Sequence, residues 1–449
     1  ADGGGRASEA WPAALFVCRA DGCRERRAAA ASGQPPPVMF LGGGENTPQW
    51  ATFSLRARQV ARALRVHLRC DAQVWQQNCD AFCDFMMGNI LIRNGPHSDG
   101  TAQAVEGAAK LRARVVVHVK FVCVCALRLL PEVKHIFDAV DNSLWLNTAM
   151  ARPHAESTAP TGPASDAAGA DDGAGHAGDR SEFDVDAVLV ESRAGAAALA
   201  AALARRDMPV FSIPHATSLA HSAAPPRTEA QALQPVRLVA VHTSHWDPVY
   251  ARVEAFLQER HPGVRFAHWS PSKLLGGEQG DVAGRMISPV QLRRVQAQLA
   301  DIDLTIVKQS GCLSEPEFCR MFKPGQRLLH AWAAGVPAVV VLGHSLTFQD
   351  YLAEDTAEAA GLDAYPAEAL VDGDGCDASV WHAHANGSQS AEVFCDGDST
   401  ALLAALDRAL HDAPLRARLR HVGLARAARW SPERLAEKHA MAHYEVLSR

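Results

Sequence analysis

The sequence predicts an α/β protein of two domains with parallel sheets. Three observations predict it. Short apolar segments rich in β-branched residues alternate with helical patterns, the signature of strands joined by crossover helices. That series occurs twice, before and after a break near 218–235. The chain has 449 residues, room for more than one domain of ordinary size.

The elements follow in order. Residues 1–37, rich in Ala, Gly and Arg and ending in Pro35-Pro36-Pro37, read as a disordered lead-in. Val38–Leu41 reads as the first strand. Gly42-Gly43-Gly44 follows it, and a helix is expected from about Thr52 to Leu64. Further strands are expected at Arg65–Arg69, Arg114–Val119, His135–Phe137, Ala187–Val190 and Val210–Ile213, with a helix at Gly195–Arg206. Residues 151–182 carry little to bury and read as a surface insertion. The first domain is thus 38–217, and 218–235 is a linker. The second domain, 236–449, opens with strand Val236–Val241, helix Pro248–Arg260 and strand Val264–His268. Helix Pro289–Leu299, strand Ile302–Val307, helix Gln326–Ala334 and strand Pro337–Leu342 continue the series. An Asp-, Gly- and Ser-rich insertion is expected at 372–398. Helices Thr400–His411, Leu415–Arg429 and Pro432–Leu447 close the chain.

Composition narrows the function. Apolar residues make up 48% and charged residues 21% of the chain, with a net charge of −6. No basic excess attracts nucleic acid or an anionic membrane. No apolar run reaches the ~18–20 residues of a membrane span. Eleven cysteines, several in apolar context (Cys70, Cys123, Cys125), read as reduced core residues of a cytoplasmic protein.

The most informative stretch runs from Phe322 to Val340. Pro324 suits the first turn of a helix. Lys323 and Arg327 bracket that N-terminus, where free N–H groups and the helix dipole favour an anion. Arg327 and His330 share one face. Gly335 is expected to end the helix, and Pro337 to open a buried strand. A plain helix–turn–strand with solvated cations is the competing reading. Lys308 is expected at a strand C-terminal end, where open sheets bind ligands.

Leu328-Leu329-His330-Ala331-Trp332-Ala333-Ala334-Gly335-Val336-Pro337 resembles the donor-binding segment of GT-B glycosyltransferases of the retaining "group 1" kind, roughly (K)LxEAxAAGxPV. Ala300–Val307, Asp412–Arg416 through Ala427, and Trp430-Ser431-Pro432-Glu433 are similar to other segments of that family. So are the Gly42–Gly44 loop, His118-Val119-Lys120 and Asp138-Ala139-Val140-Asp141-Asn142. The resemblance implies two Rossmann-like domains facing a cleft. It implies a nucleotide-diphosphate sugar as co-substrate, with no other cofactor and no metal. Lys308, Lys323, Arg327, His330, Gly42, Gly43 and Gly44 become donor-binding candidates. Lys120, Asp138, Asp141, Asn142 and His215 become acceptor-side candidates, the acceptor being a glycan, lipid or small molecule. One departure stands out. Phe322 and His330 occupy the positions of two family glutamates, which leaves a degenerate, non-catalytic nucleotide-sugar or glycan-binding protein as the alternative.

Asp141 and Asn142 equally suit a helix cap. Arg56 and Arg58, on the first helix after the glycine loop, read as a solvated helix face, with a phosphate contact as the alternative. Asp372-Gly373-Asp374 and Asp396-Gly397-Asp398 read as turns. The Cys376, His382, His384 and Cys395 set lacks zinc spacing. Gly42–Gly44 lacks the spacing of a dinucleotide fingerprint.

Overall fold

The computed structural model describes residues 14–27, 35–42, 54–75, 77–86, 113–140, 143–155, 181–215, 226, 228–242, 248–269, 298–299, 301–308, 321–322, 325–341, 347, 350–351, 392–394 and 399–449. Two sheets organise them. The first half comprises β1 (Ala14–Arg19), β2 (Gly22–Arg27), β3 (Val38–Gly42), α1 (Gln59–Leu68), β4 (Ala72–Val74) and α2 (Cys79–Met86). It continues with β5 (Val115–Val119), α3 (Val124–Leu129), β6 (Lys134–Asp138), α4 (Ser143–Ala155), β7 (Ala187–Val190), α5 (Arg193–Ala202) and β8 (Val210–Ser212). Its eight strands lie in the order β2-β1-β8-β7-β6-β5-β3-β4. All neighbours pair in parallel except β1 with β2 and with β8.

The second half begins with α6 (Glu229–Leu233), β9 (Leu238–His242), α7 (Pro248–Arg260), β10 (Arg265–Trp269) and β11 (Leu304–Lys308). It continues with α8 (Gln326–Ala333), β12 (Ala338–Val341), β13 (Glu392–Phe394), α9 (Ser399–His411), α10 (Ala413–Arg429) and α11 (Pro432–Leu447). Its sheet, β10-β9-β11-β12-β13, has five strands, parallel throughout. Strands such as Val115–Val119 and Leu304–Lys308 are buried along their whole length. Continuous apolar runs of this kind fit parallel sheets covered on both faces.

Several boundaries differ from expectation. Residues 14–27, assigned above to the lead-in, form a hairpin whose first strand pairs with β8. Alternating burial explains it: Leu15 and Val17 enter the core, and Cys18 is bonded to Cys23. Residues 65–68 extend α1 rather than forming a strand, and Val66 faces solvent. The strand comes later, at Ala72–Val74. Glu392–Phe394, expected inside an insertion, pairs with β12 and so belongs to the sheet. The last helix also crosses the expected boundary. Leu435, Ala436, Ala440, Ala442 and Val446 of α11 join the core of the first half, against Val60, Ala61 and Leu64 of α1.

The expected helix at Gln326–Ala334 is present, starting at Gln326 with Gly325 as N-cap. Leu328, Leu329, Ala331 and Trp332 bury one face. Gly335 ends it with φ +68, its N–H bonded to Trp332 O at 2.9 Å. The Val336 N–H reaches Ala331 O at 2.9 Å. This pair of bonds satisfies the last carbonyls, and its left-handed residue suits glycine. Pro324 lies outside the described residues.

Candidate functional site

The strand C-terminal ends of both sheets carry the site. In the first sheet, Gly42, Val119, Asp138 and Leu189 lie in one register line across β3, β5, β6 and β7. Glu191 follows β7, and His215 follows β8. In the second sheet, Lys308 is the last residue of β11.

Arg56 organises the first half. Its guanidinium donates from Nε to Asp138 Oδ2 at 2.7 Å and from Nη2 to Asp138 Oδ1 at 2.9 Å. Nη1 donates to the carbonyls of Ile213 at 2.7 Å and Pro214 at 3.1 Å, and lies 3.7 Å from Glu191 Oε1. The solvated reading of Arg56 is therefore wrong: Arg56, Asp138 and Glu191 are all buried. Burial opposes charge on the guanidinium, but Asp138 and Glu191 hold its pKa above the ordinary arginine value. Burial pushes the Asp138 carboxyl up, with Arg56 and His215 pulling the other way. A planar fork with five donors suits this spot, where a lysine reaches fewer partners.

Glu191 in turn holds His215. Its Oε1 faces His215 Nδ1, and its Oε2 accepts the His215 backbone N–H at 3.2 Å. His215 is thus held against Glu191 and buried.

The second half meets this cluster. His330 on α8 is pushed down to about 4 by burial and by the neighbouring His215 and Arg327, so it is neutral at pH 7. Arg327 donates from Nη1 to the Lys308 carbonyl at 3.2 Å, which joins the start of α8 to the end of β11. Lys308, Arg327, His330 and His215 therefore belong to one junction. Tyr351 lies there too, its phenol pushed well above the usual range by burial and by Glu191. Asp350 Oδ2 accepts the Arg193 N–H at 2.7 Å, a carboxylate at the N-terminus of α5.

Phe322 has a structural task. It is buried in the core of the first half, among Phe137, Val190, Ala196 and Leu199. Its Cε1 would lie 2.8 Å from a Cβ placed on Gly195. Ser192 caps α5 by accepting the Gly195 N–H at 2.9 Å and donates to the Met321 carbonyl. Phe322 is a plug between the halves.

The remaining candidates divide. Lys120 ends the β5 turn with φ +70 and donates its N–H to Asp138 O at 2.9 Å. It lies at the edge of the site. Gly42 is buried at the end of β3. Gly43, Gly44, Asp141, Asn142 and Lys323 lie outside the described residues, as do the 372–374, 376–384 and 395–398 motifs. His118 is a core residue. Its Nδ1 accepts the Cys123 N–H at 3.2 Å, so Nε2 carries the proton toward His135 Nδ1 at 3.0 Å. His135 Nε2 then donates to Leu130 O at 2.9 Å.

Sequence reasoning missed Glu191, Tyr351 and Asp350. Only Glu191 had a signal: a carboxylate directly after a buried strand, at the end where ligands bind. The reduced-cysteine expectation fails at Cys123 and Cys125, which are bonded to Cys79 and Cys83. It holds at Cys70, a buried free thiol pushed up to about 11 by burial.

Two Rossmann-like sheets, parallel except where β1 pairs with β2 and β8, meet at the ends of their strands. The chain has a GT-B-like fold. No family profile and no curated protein matches it. Solved structures do align. Anabaena HepE in complex with UDP and glucose is 11% identical, covering 92% of this chain and 99% of that one, with a TM-score of 0.46. Thermosynechococcus elongatus sucrose-phosphate synthase is 13% identical over 92% and 99%, at 0.45. The N-terminal domain of Candida albicans trehalose-6-phosphate phosphatase is 8% identical over 94% and 98%, at 0.47. At such scores the overlays add nothing to the fold assignment, which stands on strand order and on the junction. Among the described residues no helix is long and apolar enough to cross a membrane.

Proposed function

We propose that this chain transfers a sugar from a nucleotide-diphosphate donor to a glycan, lipid or small-molecule acceptor. The observation that carries the reading is the convergence of Lys308 of β11 and Arg327 and His330 of α8 with His215 and Glu191 at the strand ends of the first sheet. A leaving diphosphate needs cations or N–H donors aimed at its developing charge. Lys308, Arg327 and the start of α8 supply them, with Lys323 as a further candidate. His330, neutral and within reach of Arg327, is assigned to the ribose or a phosphate oxygen, as donor or acceptor. Gly42–Gly44 are assigned to the backbone approach from the opposite side.

His215, oriented by Glu191, has the arrangement of a base held by a third group. We assign it to the acceptor hydroxyl. Arg56 and Asp138 act through Glu191 and the Ile213–Pro214 backbone and are positioning residues. Lys120, Asp141 and Asn142 are assigned to acceptor contacts. The nucleotide sugar is the only co-substrate this reading requires.

One observation favours the alternative of a binding protein without turnover. Phe322 is committed to packing, and Asp138 to Arg56, so neither offers a carboxylate to the sugar. Release of nucleoside diphosphate from UDP-, GDP- and ADP-sugars separates the two. Turnover that falls by about 10²–10⁴-fold in His215→Ala, the usual contribution of a general base, supports the transferase. Binding of a nucleotide sugar with no turnover in wild type supports the alternative.

A further inference from the structure

Four cysteines meet behind the Lys120 turn. Cys79 and Cys83 stand one turn apart on α2, so they share a face. Cys123 precedes α3, and Cys125 lies in its first turn. Disulfides join Cys79 to Cys123 and Cys83 to Cys125. The two bonds form one cluster. Cys83 Sγ lies 3.8 Å from Cys79 Sγ and 3.9 Å from Cys123 Sγ. The Sγ atoms of Cys79, Cys83 and Cys123 lie within 4.8 Å of one another.

These separations have a chemical meaning. Zinc–thiolate bonds of about 2.3 Å in a tetrahedron put neighbouring sulfurs ~3.8 Å apart. Two edges of such a tetrahedron already run between the two disulfides. Opening the two S–S bonds supplies two more, and rotation of Cys125, which lies outside the close trio, must bring it to Cys79 and Cys123 for the last two. The surroundings fit a closed structural site. Cys83 and Cys123 are buried, and Met39, Leu41, Phe82, Val116 and Ala126 pack around them. The Cys123 backbone is fixed by its N–H bond to His118 at 3.2 Å. Cys18–Cys23 closes a hairpin elsewhere, and Cys70 stands apart as a free buried thiol.

We propose that Cys79, Cys83, Cys123 and Cys125 form a redox-gated metal site, two disulfides when oxidised and a tetrathiolate for one zinc-class ion when reduced. Each disulfide takes two electrons from a thiol or phosphine reductant, which is itself oxidised; the two protons come from the thiol or, with a phosphine, from the water whose oxygen ends in the phosphine oxide. The four thiols then lose four protons as they bind the dication, because thiolates are the ligands. In both states the cluster ties α2 to the turn that follows β5, which carries Lys120.

The test uses the full chain, reduced anaerobically with a phosphine and titrated with Co²⁺, then with Zn²⁺ in competition. One equivalent should bind with the ligand-field and thiolate charge-transfer bands of a tetrahedral tetrathiolate, and zinc should displace it. The chain prepared in air should bind none there. Loss of a mere second-shell partner weakens metal sites by about 10–100-fold. Cys79→Ser/Cys123→Ser and Cys83→Ser/Cys125→Ser should each therefore weaken binding by more than about 100-fold. Cys18→Ser/Cys23→Ser and Cys70→Ser should leave it intact. Circular dichroism follows folding in parallel, and a reduced chain that regains its structure on metal addition supports the proposal. Absence of binding in the reduced chain, or full binding in either cluster variant, overturns it.

Discussion

Replacing Arg56 by methionine removes the group that holds three segments together. Met fills the volume of the aliphatic stem but supplies no donor. Two charged bonds to Asp138, at 2.7 and 2.9 Å, and two bonds to the Ile213 and Pro214 carbonyls are lost. Asp138 stays buried without its counter-charge. Breaking a buried pair from one side costs about 3–5 kcal/mol. The sign with pH follows from the carboxylate. Burial already raises the Asp138 pKa in the folded chain above its unfolded value of ~3.9, and loss of Arg56 moves it further up. The folded variant then binds a proton that the unfolded chain does not, so its deficit shrinks as pH falls. Urea unfolding followed by circular dichroism at pH 8 and pH 5.5 measures both effects. Asp138→Asn in the Arg56→Met background should recover a kcal/mol or more, since the orphaned charge is gone, on the order of one buried hydrogen-bonding defect. A loss below ~0.5 kcal/mol for Arg56→Met, the usual size of a surface substitution, or no recovery with Asp138→Asn, would refute the bracing role.

Gly195→Ala pits two effects against each other. Alanine gains up to ~1 kcal/mol of helix propensity, but its Cβ would meet Phe322, Ser192 and Met321 at 2.8 to 2.9 Å. Overpacking costs about 1–3 kcal/mol, so the melting temperature should fall; a rise would show that Phe322 yields freely. His443 supplies a pH test. Burial holds it near 3 in the folded chain, against about 6.5 unfolded. Folding stability is therefore full above pH 6.5 and declines as pH falls toward 3, by ~1.4 kcal/mol per pH unit for this group. His443→Leu should remove about 2–3 kcal/mol of the loss between pH 6.5 and 4.5. An unchanged pH dependence in urea midpoints would contradict the neutral, buried assignment.

The two-sheet plan was legible because parallel strands buried on both faces are written as apolar runs. Val115–Val119 and Ala338–Val341 need no distant information to be recognised. The α8 segment was legible for a similar reason: its apolar face, its glycine stop and its cations are local. What failed was decided by distant partners. Leu15 and Val17 read as part of a low-complexity tail until β8 is there to pair with. Arg56 reads as one more basic residue on a helix, and only the fold brings Asp138 and two carbonyls to it. Cys123 and Cys125 sit in an apolar run that looks like core, while their partners lie some 40 residues earlier on α2. Phe322 reads only as a phenylalanine where the resembling family has a glutamate, and its packing role emerges only with Gly195 opposite it.

The central claim is that the start of α8 and the end of β11 form a diphosphate site. Calorimetric titration of the wild type and Arg327→Ala with UDP, GDP and ADP tests it most directly. Arg327 lies in the first turn of α8 and touches the Lys308 carbonyl at 3.2 Å. A guanidinium grips a diphosphate through charge-assisted bonds that the remaining groups do not replace. At least one nucleotide should bind, and Arg327→Ala should weaken it by ~1.5–3 kcal/mol, the range for a charged hydrogen bond, with the melting temperature nearly unchanged. Equal binding by the variant, or no binding of any of the three by the wild type, would contradict it.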